Sequence, residues 1–262
     1  MSIQEQAIAT ELNPVDEPQA GTRHFTVRRF VPLIIVVVAL ALLYWWIASV
    51  PLDSIERRTL NWSYILNRTR EHLALTFAAS ALVAVLAIPA GILLSRTRSK
   101  IARGIVLGIA NIGQATPAVG VVILLAIIWQ IGFSTALVAL VAYSFLPVLR
   151  NTMVGLQQVD ASVRESAKGM GMTPNQVLWR IEMPLAVPVI AAGLRTALVF
   201  AVGVATIATF INAGGLGDMI VNGLKLQRFP VLATGAVLVA CIALLIDWLA
   251  GIAEDYLTPK GS

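Results

Sequence analysis

The sequence predicts an all-α integral membrane protein with about six transmembrane helices, and two observations support this. Of its 262 residues, 58% are hydrophobic and only 13% are charged, whereas soluble domains are usually about half apolar and a quarter charged. The apolar residues are also gathered into runs close to the ~20 residues that cross a bilayer. An ordinary cytosolic enzyme is therefore excluded as a class.

Six apolar runs supply the predicted spans. Four of them cover residues 30–49, 73–95, 185–211 and 229–250. A longer uncharged stretch at 104–149 exceeds one span, and Gly132 divides it into two. The spans contain several helix breakers, which membranes tolerate where neighbouring helices or a water-filled cavity satisfy the freed backbone groups. Such interrupted spans are typical of transporters.

The lysines and arginines predict the orientation. Twelve of the 19 lie in residues 1–29, 96–103, 150–183 and 252–262, and six lie in the alternate loops. Because cytoplasmic loops carry the excess of positive charge, both termini are predicted to be cytoplasmic. The transmembrane domain then covers residues 30–251, between a disordered cytoplasmic N-terminal tail at 1–29 and a cytoplasmic C-terminal tail at 252–262. The loop at 50–72, with four arginines, opposes this bias.

The segment 157–184 is the longest polar stretch between predicted spans, and the charge bias places it in the cytoplasm. Ser162 and Glu165 have the spacing of a capping box, which predicts the start of a short helix. Gly169 and Gly171 would end that helix, because glycine adopts the left-handed backbone of a helix C-terminus without strain.

A second short helix is predicted directly afterwards. Thr173 and Gln176 form another capping-box pattern, with Pro174 at the first helical position. Met183 and Pro184 would begin the return into the membrane. A short capped helix at a membrane surface is suited to docking in a partner's groove, and a plain connecting loop is the equally open alternative.

The spacing of the residues from Glu165 to Pro184 closely resembles the EAA motif of ABC importer permeases. That motif reads E-A-A, three residues, G, nine residues, I-x-L-P, and this chain departs from it only at Ser166 and Met183. In that family the loop is the coupling helix, which sits in a cleft of the ATP-binding subunit. By position, the resemblance assigns ATPase coupling to Glu165, Ser166, Ala167, Gly169, Gly171, Ile181 and Pro184.

Further strings resemble the permeases of osmoprotectant importers. They are REHLALT (70–76), IPAGILLSR (88–96), LPVLRNTMVGL (146–156), MPLAVPVIAAGLRTAL (183–198) and GGLGDMIVNGL (214–224). The resemblance covers about residues 62–255. It implies an inner-membrane permease that moves glycine betaine, carnitine, choline or related compatible solutes. It also implies two copies of an ABC ATPase subunit, a second permease copy or paralogue, and a separate extracytoplasmic solute-binding protein.

The residue patterns that several kinds of chemistry require do not occur in this sequence. No Walker A pattern, G-x-x-x-x-G-K-[ST], occurs, so ATP and Mg²⁺ are expected on the partner ATPase and no cofactor on this chain. One cysteine, Cys241, and two histidines, His24 and His72, exclude a structural zinc site. No nucleophile in the spans has a visible base, so no catalytic residue is assigned. The net charge of +5 is scattered between apolar runs, and nucleic-acid binding is not expected.

Two charges must lie inside the spans, Arg195 and Asp247. A charge at this depth is costly unless it is paired or hydrated. The two residues are predicted either to pair with each other or to reach the interface separately. Asp247 is the single carboxylate at membrane depth, which disfavours a proton-coupled carrier. An ion-gradient-driven secondary carrier for a small solute is the alternative function, since a sodium-coupled carrier could use backbone carbonyls. Substrate-binding residues are not assigned.

Overall fold

The computed structural model describes residues 27–257, and all regular structure in that range is helical. The predicted disorder of the N-terminal tail falls mostly on residues outside the described range. Val27–Phe30 form a 3₁₀ turn, so the last residues of that predicted tail are structured. The final helix continues to Leu257, so the first residues of the predicted C-terminal tail are helical.

The described residues form a series of α-helices joined by short connections. They are α1 (Val31–Ser49), α2 (Ser54–Thr59), α3 (Trp62–Arg96), α4 (Lys100–Ala115), α5 (Ala118–Ile128), α6 (Phe133–Gln158), α7 (Ala161–Gly169), α8 (Pro174–Ala205), α9 (Gly217–Lys225) and α10 (Phe229–Leu257). A π-helical turn at Leu178–Glu182 lies inside α8, and a 3₁₀ turn at Ile207–Ile211 follows it.

The helices that can cross a membrane agree with the predicted number of spans. Five single helices, α1, α3, α6, α8 and α10, are long and apolar enough. The pair α4 and α5 is bent by 101° and supplies the sixth span when counted as one. This bend is one of the interruptions that the helix breakers within the spans predict. Pro117 lacks a backbone N–H and disfavours helical geometry at Thr116, so the helix breaks there.

Helix α3 is longer than its apolar run predicts. It begins at Trp62 instead of residue 73, because the Asn61 side chain accepts the Tyr64 backbone N–H at 2.8 Å and caps the helix. Its 35 residues extend about 52 Å at 1.5 Å per residue, well beyond the ~30 Å hydrocarbon core. The charged first turns are therefore helical but lie outside the apolar part of the span.

The core consists of α6 packed between α3 and α8. Small residues allow the three backbones to approach closely. A Cβ atom on Gly91 of α3 would lie 2.7 Å from the Thr152 Cβ of α6, and one on Gly193 of α8 would lie 2.7 Å from the Asn151 Cβ. These glycines therefore set the spacing of the core helices.

The bundle has two polar ends, which we name by the short helix at each. The α7 end contains the C-terminus of α3, the segment 159–173 and the start of α8. The α9 end contains α2, the N-terminus of α3 and the residues from 212 to 228.

The tightest backbone contact is at Gly217, the first residue of α9. A Cβ atom there would lie directly against the Thr206 backbone carbonyl. We expect Gly217→Ala to lower the free energy of unfolding by about 1–3 kcal/mol, because the backbone must shift to admit the methyl group. Gly203→Ala is the matched control, since a Cβ atom at Gly203 of α8 meets no neighbour within 4 Å. Thermal unfolding in detergent measures both, and an equal midpoint for the two variants would contradict the contact.

A candidate coupling site at the α7 end

Helix α7 begins at a cap that differs from the predicted one. The Asp160 side chain accepts the Ser162 backbone N–H at 2.8 Å, and this hydrogen bond lowers the pKa of the Asp160 carboxyl. The predicted capping box of Ser162 and Glu165 is wrong, because Ser162 already lies inside the helix. Asp160 precedes both residues and takes the N-cap position, where a short carboxylate reaches the free N–H groups.

The end of α7 is the one that its glycines predict. The helix ends at Gly169, and Gly171 has a left-handed backbone with φ of +84°. The Met172 N–H then donates to the Ala167 carbonyl at 3.2 Å, which closes the end of the helix. A side chain at Gly171 would meet no other atom within 4 Å, so this position requires glycine for its backbone angle and not for space.

The second capping box is present, but the helix that follows is not short. Thr173 and Gln176 exchange both hydrogen bonds of the box, with Pro174 at the first helical turn. The helix then continues without a break from Pro174 to Ala205, so it is much longer than the short helix that was predicted. The π-helical turn before Pro184 explains the continuity, because a widened turn relieves the clash and missing N–H that proline introduces.

The structure divides the predicted coupling residues between two helices. Glu165 and Ser166 are exposed on α7, whereas Ala167 is only 1% exposed and faces the bundle. Gly169 and Gly171 complete the exposed end of α7. The remaining two residues lie on α8, where Ile181 is half-buried and Pro184 is exposed.

An ion pair that the sequence did not reveal supports this end of the bundle. The Arg96 guanidinium, on the last residue of α3, contacts the Glu182 carboxylate in the π-helical turn of α8. Glu182 is 7% exposed, so its carboxylate is largely shielded from solvent, whereas the Arg96 side chain remains 41% exposed. The two residues are 86 positions apart, and no local pattern indicates which cation a buried glutamate will meet.

A cavity of ≈ 360 Å³ lies between α7 and the start of α8. Its charged lining residues are Arg96, Arg164, Glu165, Lys168 and Glu182. The face of α7 that carries Arg164, Glu165 and Lys168 therefore borders an open cavity with charged walls.

The structure brings Arg195 and Asp247 together. The Arg195 Nε lies 2.6 Å from one Asp247 carboxylate oxygen, and its Nη2 lies 2.7 Å from the other, so the pair is bidentate. A second carboxylate, Glu254, lies 3.3 Å from Arg195 Nη1. Gly251 leaves room for the guanidinium, since a Cβ atom there would lie 3.0 Å from Arg195 Nη1.

Glu254 was missed because the apolar run of the last span ends at residue 250. Helix α10 continues seven residues further, to Leu257. Glu254 is two turns beyond Asp247 on the same helix, and residues seven apart share a face. That spacing is a signal that could have found it, had the helix been extended past its apolar part.

A second polar network, at the α9 end, joins the first turns of α3 to the turn that leads into α9. The Arg68 guanidinium bridges the Glu71 and Asp218 carboxylates at 2.8 and 3.3 Å. The Tyr64 hydroxyl donates to Asp218 at 2.6 Å, and the Gly215 N–H donates to Glu71 at 2.9 Å. The charged first turns of α3 thereby hold the glycine-rich turn that leads into α9.

The glycine-rich turn fits tightly against α3. Gly214 and Gly215 have left-handed backbones, with φ of +80° and +92°. A Cβ atom on Gly214 would lie 2.5 Å from a Glu71 carboxylate oxygen. Beneath them His72 is fully buried, and neither ring nitrogen has a hydrogen-bond partner among the described residues. These glycines therefore serve a close backbone approach and not a nucleotide phosphate.

Solved structures establish the class of the fold. The structure superposes on a chain of an inward-facing MetNI methionine ABC transporter, with a TM-score of 0.69 and 23% identity. The superposition covers 79% of this chain and all of the transporter chain. A chain of a bacterial alginate ABC transporter, in complex with an alginate-bound periplasmic protein, covers 89% of this chain and 90% of its own, with a TM-score of 0.59 and 18% identity. The fold is that of an ABC transporter membrane subunit.

Residues 87–260 match the family described as "Binding-protein-dependent transport system inner membrane component", and the chain belongs to that family. The choline transport system permease protein OpuBB of Bacillus subtilis is 41% identical over 77% of this chain and 92% of its own length. The carnitine transport permease protein OpuCD of Listeria monocytogenes is 43% identical over 76% and 89%. The osmoprotectant import permease protein OsmY of Salmonella typhimurium is 38% identical over 86% and 93%.

The Arg195–Asp247 pair is testable by a charge swap. We expect Arg195→Asp and Asp247→Arg each to lower the thermal midpoint in detergent, because each leaves an uncompensated charge at membrane depth. The double variant should recover most of the loss. All variants should also carry Glu254→Gln, since the carboxylate introduced at position 195 would otherwise face Glu254. A double variant that is no more stable than the singles would contradict the pairing.

Proposed function

We propose that this chain is the permease subunit of an ATP-driven importer of compatible solutes such as glycine betaine, carnitine or choline. The observation that carries the proposal is identity of about 40% with permeases named for these solutes, over nearly their whole length. Fold similarity alone would not separate this substrate class from methionine or alginate. The permease supplies the path through the membrane, and separate ATPase subunits supply the energy.

The orientation follows from the charge bias. The α7 end faces the cytoplasm, with both termini on that side, because the segments at that end carry most of the lysines and arginines. The α9 end then faces outward. There a separate solute-binding protein delivers the solute to two permease chains, which are either identical or related.

The α7 segment is the coupling element. Its exposed Glu165, Ser166 and Met170 form a small surface that fits a groove of the ATPase, and caps at both ends make the helix rigid. The ATPase holds ATP and Mg²⁺. When two ATPase subunits close on ATP, they displace α7. Because α8 runs as one helix from Pro174 into the membrane, that displacement moves the core helices.

The ion pair within the span also disfavours a proton-coupled carrier. Asp247 is the carboxylate that a proton-coupled carrier would have to use. In the structure both of its oxygens accept hydrogen bonds from Arg195. A carboxylate held in this way is not free to exchange a proton during transport.

Solute uptake tests the proposal directly. In a bacterial strain without its own osmoprotectant uptake, expression of this chain with its ATPase and binding protein should support uptake of radiolabelled glycine betaine or choline. Uptake should survive a protonophore while ATP is maintained and should cease without the ATPase. Uptake that persists without the ATPase and collapses with the protonophore would establish a gradient-driven carrier instead.

A substitution at Gly171 tests the coupling role. We expect Gly171→Trp to abolish solute-stimulated ATP hydrolysis in the assembled complex, because the ring projects from the surface that meets the ATPase. The amount of membrane-inserted permease should stay near the wild-type level.

Gly171→Ala is the matched control for backbone strain. It introduces the same left-handed penalty, of order 1 kcal/mol, without the bulk. It should retain most of the stimulated hydrolysis. Equal loss in both variants would attribute the effect to the backbone, and loss of membrane insertion in Gly171→Trp would contradict the docking role.

A further inference from the structure

The arginine-rich segment at 50–72 rises out of the membrane at the α9 end. Helix α3 is longer than the hydrocarbon core, and its first 11 residues, 62–72, precede the uncharged run. At 1.5 Å per residue they extend about 16 Å. Together with α2 they form a helical projection with aqueous access, which a soluble protein can reach.

Arg68, Glu71 and Asp53 of this projection are already paired within the chain. Arg68 is bound by Glu71 and Asp218. Arg228 contacts Asp53, and this hydrogen bond is the main cause that lowers the pKa of the Asp53 carboxyl to about 2. The Asp53 carboxylate is therefore ionised at neutral pH, and both of its oxygens accept hydrogen bonds.

Three exposed arginines of this projection have no carboxylate partner among the described residues. The guanidinium groups of Arg58 and Arg70 make no hydrogen bond or ion pair with any described residue, and Arg57 donates only to the Leu52 carbonyl. No carboxylate of the described chain neutralises them. Positive charge on this side opposes the bias that orients membrane proteins. An excess that opposes this bias and has no internal partner indicates an external one.

The surface beside Arg70 has the chemistry of a carboxylate receptor. A shallow cavity of ≈ 380 Å³ is lined by Asn61, Ser63, Tyr64, Leu66, Asn67 and Arg70. Ser63, Asn67 and Arg70 share one face of α3, since residues three or four apart are neighbours on a helix. A planar guanidinium surrounded by amide and hydroxyl groups binds a carboxylate through two parallel hydrogen bonds.

We propose that Arg57, Arg58 and Arg70, here called the outer arginine surface, dock acidic side chains of the extracytoplasmic solute-binding protein. The inference rests on the proposed function and names the chemistry of that partner's contact. Opposite charges on the two surfaces steer the encounter, so they raise the association rate and make it sensitive to salt.

The test uses the assembled permease and ATPase in liposomes, with purified binding protein added. The measured quantity is the binding-protein concentration that gives half-maximal stimulation of ATP hydrolysis. We expect Arg58→Glu and Arg70→Glu each to raise it by about three- to tenfold at low salt, with the maximal rate unchanged. The salt dependence of this concentration should also become weaker. Arg98→Glu is the matched control, because Arg98 is equally exposed but lies at the α7 end.

Each outcome of this experiment supports or overturns one interpretation of the outer arginine surface. Wild-type values for Arg70→Glu and Arg58→Glu at both salt concentrations would overturn the docking role. A response that follows the anionic-lipid content of the liposomes, and not the binding-protein concentration, would assign the surface to the membrane instead. If the wild-type complex is not stimulated by its binding protein at all, the proposed function itself falls. A stimulated wild type with unaffected variants removes only this inference.

Discussion

The close approach of α3, α6 and α8 is the constraint on which the rest of the structure depends. Lipid tails are as apolar as the helix surfaces, so burying apolar area between helices contributes little in a bilayer, and tight packing must supply the association energy. Gly91, Gly155 and Gly193 allow this packing, since each would place a Cβ atom within about 3 Å of the opposite helix. The coupling segment and the polar turn at the α9 end are both attached to this core.

The core also explains how a small displacement at α7 can reach the opposite end. Helix α8 extends from the capping box at Thr173 to the 3₁₀ turn that precedes Gly214. Close-packed interiors deform little, so a push at one end moves the helix as a unit. The α4–α5 pair, bent by 101°, belongs to the same core, because Ala110 and Val122 are buried in clusters that also contain residues of α3 and α8.

Arginines that lie between segments of the bundle are paired with carboxylates, whereas several exposed arginines have no carboxylate partner among the described residues. Arg195 and Arg68 are each held by two carboxylates, and Arg96 by one. Except for Arg68–Glu71, which lies within α3, these pairs join segments that are far apart in sequence, and in a low-dielectric setting a paired charge costs far less than a free one. The arginines without a partner are exposed at the ends of the bundle, where water or another protein can meet them.

The sequence by itself determined the membrane class, the approximate number of spans and the resemblance to the EAA motif. Hydropathy and charge bias are sums over neighbouring residues, and the spacing from Glu165 to Pro184 is a pattern within a single segment. Both kinds of pattern can be recognised in the sequence without knowledge of the tertiary structure. The Thr173–Gln176 cap and the glycine end of α7 were predictable for the same reason, because their hydrogen bonds connect residues a few positions apart.

Only the tertiary structure decided the rest, because it depends on contacts between distant residues. Tyr64 and Asp218 are 154 positions apart, and nothing near either residue indicates the other. The start of α3 at Trp62 was hidden because charged turns lower the local hydropathy even when tertiary contacts keep them helical. The unpartnered state of Arg58 and Arg70 was likewise invisible, since a residue's lack of a partner is known only when all its neighbours have been placed.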